Sequence, residues 1–224
     1  MPASNLLGKQ FAFTGDAALS SGAARSENEV LKMDNERLLR RLAEASRVAF
    51  ESHRLAHQDD LTGLPNRRLL IKRLQWAIAN ARQRQNQLAL LFIDLDKFKA
   101  VNDRLGHRIG DQLLTFVAAR IAACVRSDDL ACRYGGDEFV ALLPNVSDAS
   151  VAVGVAHHIG ERIGCAYRID GEEIRITASV GLAVYPGDGD SYDALLRHAD
   201  AVMFSRKIAR RNGAMPASVA DCLR

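Results

Sequence analysis

The spacing of apolar positions divides the chain into one long helical segment followed by alternating helices and strands. Residues 27–57 contain neither Gly nor Pro and are dense in Glu, Arg, Leu and Ala, which predicts a single long helix. From about residue 58, segments with helical apolar spacing alternate with short apolar runs that are typical of buried strands. The first such pair is a helix at 66–83 and the strand QLALLFI at 87–93.

Two hairpins interrupt this alternation. In RYGGDEFVALLP, residues 133–144, two glycines separate two strand-like segments, and glycine readily adopts the positive φ angles of tight hairpin turns. A second hairpin is predicted within 166–186, where Asp-Gly lies between two strand-like segments. Helices at 110–126, 148–164 and 191–211 complete the order α-β-α-β-β-α-β-β-α. We therefore predict an α/β sandwich with a mostly antiparallel central sheet, helices on its faces and a long N-terminal helix in front.

The long helix carries a weak heptad pattern, and two interpretations of it stay open. The first interpretation is a parallel two-stranded coiled coil, because Asn at an a position can set its register. The second interpretation is a single amphipathic helix that packs on its own domain. The d positions are Leu31, Leu38, Ala45 and Ser52, and the a positions are Asn28, Asn35, Leu42, Ala49 and Ala56. The predicted regions are a flexible Gly/Ala/Ser-rich segment (1–25), a helical stalk (26–57), the main domain (58–215) and a tail (216–224).

Composition excludes several classes of protein. A net charge of +3 is too small for the basic surface expected of a nucleic-acid-binding protein. The apolar runs are too short for a membrane span, and Asp16 interrupts the N-terminal apolar patches, so no signal peptide is expected. The widely separated Cys124, Cys132, Cys165 and Cys222 form no CxxC pair, which indicates free thiols in a reducing, cytoplasmic location.

Carboxylates stand at two places where apolar strands meet loops. Asp94 and Asp96 follow the strand at 87–93, and Asp137 and Glu138 follow the two glycines. If the hairpin tip packs beside that strand end, Asp94, Asp137 and Glu138 converge, and a divalent cation would relieve their repulsion. Asp94 and Asp96 share a side only if the strand continues through both. The alternative for the hairpin tip is an ordinary polar turn.

Basic residues near these carboxylates are suited to a triphosphate. Lys99 follows the strand, Arg133 precedes the turn, and Lys207 and Arg211 lie four apart on the last helix and so share one face. Enzymes that act on a triphosphate commonly position it and neutralise its charge with a metal ion and several Lys and Arg side chains. The alternative for Lys207 and Arg211 is a solvated helix face.

GGDEF at 135–139 resembles the signature of the GGDEF diguanylate cyclase family, and the resemblance extends over about residues 57–213. It implies the palm-like fold of nucleotidyl cyclases and the reaction of two GTP to cyclic di-GMP and two pyrophosphates, in a homodimer whose domains hold one GTP each. The other matching segments are DDLTGLPNRR (59–68), DLDKFKAVNDRLGHRIGDQLL (94–114), TASVGLAVYP (177–186) and ADAVMFSRKIARRN (199–212).

The resemblance also implies roles for individual residues. Asp94, Asp137 and the Leu95 carbonyl would bind Mg²⁺ or Mn²⁺, with two ions per GTP, while Asn102 and Asp111 would read the guanine edge. The residues expected to take part in catalysis are Asp137, Glu138 and Lys99. Those expected to bind the phosphates lie in the loop from Leu95 to Lys99, which includes Phe98, and at Lys207 and Arg211.

RSDD at 126–129 resembles the family's RxxD inhibitory motif at the matching distance from the signature. Arg126 and Asp129 would then bind the product, cyclic di-GMP, which would restrain the enzyme. The alternative is an Arg at a helix end with an ordinary surface ion pair.

The closing helix departs from the family's pattern at three positions. The family usually has Tyr, Ala and Gly where this chain has Phe204, Arg206 and Arg210, so two arginines add bulk and charge on the presumed triphosphate side. An active cyclase is the leading hypothesis; a non-catalytic cyclic di-GMP receptor and a GTP-binding adaptor are the alternatives. Because no sensor domain precedes the helix, we expect either a fragment of a longer protein or input from an upstream partner.

Overall fold

The computed structural model describes the backbone of residues 15–211 and the side chains of 29–48, 51–52 and 54–210. Residue contacts divide it into two units, Met1–His53 and Arg54–Arg224. The elements, in chain order, are α1 (Gly15–His57), α2 (Arg67–Arg84), β1 (Gln87–Leu95), α3 (Phe98–Leu105), α4 (His107–Cys124), β2 (Leu130–Gly135), β3 (Glu138–Val146), α5 (Ala149–Gly164), β4 (Tyr167–Ile169), β5 (Glu172–Ile174), β6 (Ala178–Tyr185) and α6 (Tyr192–Arg211).

Helix α1 begins at Gly15, inside the segment that composition predicted to be flexible. The alanines of residues 15–25 explain the difference, because Ala has the highest helix propensity; residues 1–14 lie outside the described part. The side chains of 29–48 are all exposed. The heptad residues Leu31, Leu38 and Leu42 are 56%, 60% and 64% exposed, so this apolar seam is uncovered in the single chain.

The main domain is built on a four-stranded sheet in the order β2-β3-β1-β6. Every neighbouring pair is antiparallel, which confirms the predicted antiparallel sheet. The central strand β1 is buried at every position after Gln87. Its end therefore lies in the interior of the sheet, flanked by β3 on one side and β6 on the other.

Helices cover both faces of the sheet. Side chains alternate along β1, so Leu90 and Phe92 belong to one apolar core with α2 and α6, and Leu91 and Ile93 belong to the other core with α4 and α5. The sandwich predicted from the element order is therefore confirmed. Within residues 15–211, no helix is long and apolar enough to cross a membrane. Cys124, Cys132 and Cys165 are free thiols, and Cys222 lies outside the described residues.

Two elements differ from the predicted order. Helix α3 was not recognised, because it has only eight residues and follows Lys97, which adopts a left-handed φ of 59° and provides no side-chain cap. The second hairpin is real, with its turn at Asp170 and Gly171, but β4 and β5 form a separate two-stranded sheet. Strand β6, which was predicted as the continuation of that hairpin, instead pairs with β1.

Candidate active site

The hairpin between β2 and β3 packs beside the end of β1. Gly135 pairs with Glu138, Gly136 has a positive φ of 51°, and Asp94 on β1 faces Glu138 across the sheet. The backbone N–H of Leu95 donates to the Asp137 carbonyl at 3.3 Å. Asp94, Asp137 and Glu138 therefore come to the same end of the sheet, the adjacency on which the predicted metal site depended.

The electrostatics of this cluster are unfavourable for three ionised carboxylates. Burial raises the pKa of Asp94, as do the charges of Asp137 and Asp96, while Lys207 opposes the shift. The pKa of Glu138 is also raised, by burial first and then by Asp94, Asp137 and Asp200. A bound cation would lower both pKa values, because it would offset the repulsion between the neighbouring carboxylates and stabilise their ionised forms.

Lys207 supplies the positive charge at this point of the structure. Its ammonium lies 2.5 Å from Asp94 Oδ1, and Asp94 is only 7% exposed. Within the described residues, no three Asp, Glu, His or Cys side chains are grouped closely enough to hold a metal as they stand. The donor chemistry nevertheless fits a hard divalent cation, since Asp94, Asp137 and Glu138 offer only oxygen ligands.

Asp96 turns away from this cluster. Strand β1 ends at Leu95, and Asp96 accepts hydrogen bonds from Thr177 Oγ1 at 2.6 Å and Ser179 Oγ at 2.7 Å. Arg210 Nη1 adds a third donor at 2.8 Å. Asp94 and Asp96 therefore have different contacts: Asp94 binds Lys207, and Asp96 binds Thr177, Ser179 and Arg210. Because β1 ends before Asp96, the condition under which both would share one side of the strand is not met.

Arg133 was predicted to be one of the phosphate-binding cations, and the structure corrects that prediction. Its Nη1 donates to both carboxylate oxygens of Asp59, at 3.0 and 3.2 Å. Its Nε and Nη2 donate to the Gly136 carbonyl at 3.0 and 2.8 Å. Arg133 thus joins the glycine turn to the loop that contains Asp59.

Asp59 is a supporting residue that sequence reasoning missed, although it lies in the DDLTGLPNRR segment. Burial would raise its pKa, but hydrogen bonds from Thr62 and the guanidinium of Arg133 hold the pKa below its ordinary value. The carboxylate is therefore well suited to stay ionised as the partner of Arg133.

Asn102 on α3 and Asp111 on α4 lie on the two helices that follow β1. Asn102 Oδ1 is buried and has no hydrogen-bond partner in the described part of the chain. A Cβ added at Gly110 would lie 1.8 Å from that oxygen, so the absence of a side chain at Gly110 leaves the space that Asn102 occupies. Asp111 is exposed. A buried unpaired acceptor is costly in a folded protein, and a ligand N–H would satisfy it.

The predicted phosphate loop is shorter than expected. Leu95 is the last residue of β1, and Phe98 and Lys99 already belong to the first turn of α3. Only Asp96 and Lys97 remain between the two elements. Phe98 is 9% exposed, so its ring is mostly in the core, whereas Lys99 is exposed.

The closing helix α6 brings three basic residues toward the sheet. Lys207 contacts Asp94, Arg210 contacts Asp96, and Arg206 Nη1 donates to the Val180 carbonyl at 2.7 Å. The two arginines that depart from the family's pattern therefore bind β6 and the end of β1. Arg211 is the last residue of α6, and its side chain lies outside the described residues. Phe204 is 58% exposed.

Arg126 and Asp129 form a compact turn just before β2. Asp129 Oδ2 accepts from the Arg126 backbone N–H at 2.9 Å, and the Asp129 N–H donates to the Arg126 carbonyl at 3.1 Å. The Arg126 side chain is exposed. The six residues of β2 separate this turn from the Gly135–Gly136 end, so the structure does not bring it to the carboxylate cluster.

Comparison with known proteins identifies relatives that include both diguanylate cyclases and cyclic di-GMP phosphodiesterases. The family model described as diguanylate cyclase, GGDEF domain, matches residues 56–213. The bifunctional diguanylate cyclase/cyclic di-GMP phosphodiesterase MucR of Pseudomonas aeruginosa is 48% identical over 172 residues, which cover 77% of this chain and 24% of MucR. The chain thus spans about a quarter of that relative's length.

Solved structures agree with this family match. The GGDEF domain of PA1120 (YfiN or TpbB) from Pseudomonas aeruginosa superposes with a TM-score of 0.64 at 41% identity, over 67% of this chain and 92% of that one. The coiled coil and GGDEF domain of DgcB from Caulobacter crescentus, solved in complex with c-di-GMP, gives a TM-score of 0.64 at 29% identity, over 88% of this chain and 96% of that one.

Proposed function

The chain belongs to the GGDEF diguanylate cyclase family, and on that premise we propose that it condenses two GTP molecules into cyclic di-GMP with release of two pyrophosphates. The observation that carries this proposal is the convergence of Asp94, Asp137 and Glu138 at the end of β1, next to the ammonium of Lys207. The pKa values of two of these carboxylates, Asp94 and Glu138, are raised by burial first and then by neighbouring acids, and perturbed acids grouped in this way mark a candidate functional site.

We propose that Asp94, Asp137 and the Leu95 carbonyl hold Mg²⁺ or Mn²⁺, with two ions for each GTP. When bound, these ions neutralise the charge of the triphosphate. Glu138 is either a further ligand or the group that accepts the proton of the 3′-hydroxyl. Its raised pKa suits the second role, because a base is most effective when its pKa approaches the working pH.

The guanine base is assigned to Asn102 and Asp111. The unpartnered Asn102 Oδ1 can accept from a guanine N–H, and a carboxylate such as Asp111 can accept from a second one. The phosphates are assigned to the beginning of α3, with Phe98 and Lys99, and to the end of α6, with Lys207 and Arg211.

Two copies of the chain are needed, because each bound GTP supplies the 3′-hydroxyl that attacks the α-phosphate of the other. We propose that α1 pairs as a coiled coil to bring the two domains together. The uncovered Leu31, Leu38 and Leu42 support this, as does the likeness to a DgcB structure that comprises a coiled coil and a GGDEF domain. An upstream partner acting on α1 would provide the signal, and the cytoplasm, where the thiols stay reduced, is the proposed location.

Product inhibition is assigned to Arg126 and Asp129. The exposed guanidinium of Arg126 can bind a phosphate or guanine of cyclic di-GMP, and Asp129 can accept from guanine nitrogens. The same pair supports a second candidate function, a catalytically weak receptor for cyclic di-GMP. The solved complexes of related GGDEF domains with c-di-GMP favour keeping this candidate.

Incubation of the purified protein with GTP and Mg²⁺, with chromatographic detection of cyclic di-GMP and pyrophosphate, tests the cyclase. We expect product whose rate per molecule rises with protein concentration, and none with Asp137→Asn. Absence of product at high protein concentration, together with tight binding of added cyclic di-GMP, would favour the receptor instead.

A further inference from the structure

A cavity of about 430 Å³ lies between α5 and α6 beside β6, which is the last strand of the sheet among the described residues. Its volume falls within the roughly 300–1,000 Å³ typical of small-molecule pockets. Of the described residues that line it, none is Asp94, Asp137 or Glu138. The cavity is therefore distinct from the carboxylate cluster.

Small residues create the space in this cavity. Ala156 and Gly160 on α5, Val180 on β6 and Ala209 on α6 all line it. A Cβ added at Gly160 would meet no atom within 4 Å, so the space extends to the backbone of α5. The walls at this level offer apolar contacts to an occupant.

The charges around the cavity are unevenly distributed. On the α5 side, His157 Nδ1 and Glu161 Oε2 lie 3.5 Å apart, so the acid has a partner of its own on the same helix. On the α6 side, Arg206 and Arg210 both line the cavity. Arg210 uses Nη1 for Asp96, and a guanidinium has five N–H donors, so it can bind a second anion. The α6 wall is thus suited to a negative group.

We propose that this cavity binds a compact apolar molecule that carries one anionic group, such as a carboxylate. The apolar body lies among Ala156, Gly160 and Ala209, and the anionic group accepts hydrogen bonds from Arg210. A nucleotide fits poorly, because the described lining contains no Phe, Tyr or Trp on which a base could stack.

The cavity shares residues with the support of the active site. Ser179 lines it, donates to Asp96 and stands opposite Asp94 in the β1–β6 register. Arg210 also joins the cavity to Asp96. An anion that binds the remaining N–H donors of Arg210 shares this guanidinium with Asp96, two residues beyond Asp94, which connects the ligand to the support of the carboxylate cluster.

The test is calorimetric titration of the full chain with 2-naphthoate, a compact apolar carboxylate, and with the uncharged 2-naphthylmethanol. We expect saturable binding of one 2-naphthoate and weaker binding of the alcohol. Gly160→Leu, which fills the cavity, should weaken binding by about tenfold or more, and Ala209→Leu should do the same from the opposite wall. Gly154→Leu is the matched control, because Gly154 lies on the same helix and also has open space around its Cβ position.

The titration needs neither GTP nor turnover, so it is independent of whether the chain is a cyclase. Failure of 2-naphthoate to saturate would overturn the proposal. So would equal affinity for the alcohol, or equal loss of binding in the Gly154→Leu and Gly160→Leu variants, provided that circular dichroism shows both to be folded.

Discussion

Lys207 donates a hydrogen bond to Asp94 Oδ1 at 2.5 Å. Its ammonium is therefore in direct contact with a carboxylate that is almost completely buried at the end of β1. The contact joins α6 to the central strand, residues that are 113 positions apart. Burial and the neighbouring acids raise the pKa of Asp94, and Lys207 partly offsets them. The pair therefore holds together a region whose other charges repel one another.

Lys207→Met should destabilise the domain at neutral pH. It removes the cation from a buried carboxylate, and loss of one partner of a buried pair leaves an uncompensated charge, so we expect a loss of about 1–3 kcal/mol in the free energy of unfolding. Urea denaturation at pH 7 measures it, and Lys207→Arg, which keeps the charge, is the control. The pKa of Asp94 should rise further in the Met variant, so the loss should shrink as the pH falls and Asp94 becomes protonated. Equal stability of the Met variant and the parent at pH 7 would contradict the prediction.

Glu138→Gln should have the opposite effect on stability while abolishing turnover. The folded-state pKa of Glu138 is raised by burial and by Asp94, Asp137 and Asp200, so ionisation of Glu138 costs folding free energy. That cost is absent at a pH below the pKa of Glu138 in the unfolded chain, and it appears as the pH rises through the pKa of Glu138 in the folded chain. The variant should therefore melt at a higher temperature than the parent at pH 7, by an amount that vanishes near pH 4. Scanning calorimetry across this range measures the difference, and a variant that melts lower at pH 7 would refute the argument.

The antiparallel architecture could be predicted because it follows from local signals: strand length and apolar content defined β1, and the glycine pair defined the hairpin. The carboxylate cluster was predicted only on the condition that the hairpin tip packs beside the end of β1, a tertiary contact that the structure supplies. The direction of long side chains could not be predicted, since it depends on tertiary contacts. Arg133 was assigned to phosphates, yet Asp59, 74 positions away, binds it. In the same way, Arg210 looked like an added charge near the triphosphate, but it binds Asp96.

Arg133 and Asp59 should be energetically coupled. Their side chains are 13% and 24% exposed, and the guanidinium also holds the Gly136 carbonyl. A double-mutant cycle with Arg133→Met and Asp59→Asn, read by urea denaturation, should give an interaction energy of about 0.5–3 kcal/mol. Additive effects of the two substitutions would show that the contact contributes nothing to stability.

Arg126→Ala should relieve product inhibition and leave the initial rate unchanged, because Arg126 is exposed and lies at the opposite end of β2 from the glycine turn. Initial rates measured with increasing added cyclic di-GMP would show the relief. Arg175→Ala, which removes an exposed arginine that pairs with Glu173 near the small sheet, is the control. Inhibition of the Arg126 variant at the same product concentration as the parent would remove the inhibitory assignment.

Gly110→Ala should weaken GTP binding without unfolding the domain. The added methyl would lie 1.8 Å from Asn102 Oδ1 and 3.3 Å from Phe98 Cζ, so the Asn102 side chain must move from the position in which its oxygen is unpartnered. Loss of one hydrogen bond to guanine corresponds to about tenfold in affinity, and equilibrium binding of GTP in the presence of Ca²⁺, which is not expected to support turnover, would measure it. The matched control is Gly154→Ala, a helical glycine with no atom within 4 Å of its Cβ position, which should bind GTP as the parent does. If both alanine variants bind GTP equally well, Asn102 does not read the base; if only Gly110→Ala is weakened while its melting temperature stays near that of the control, the guanine assignment is supported.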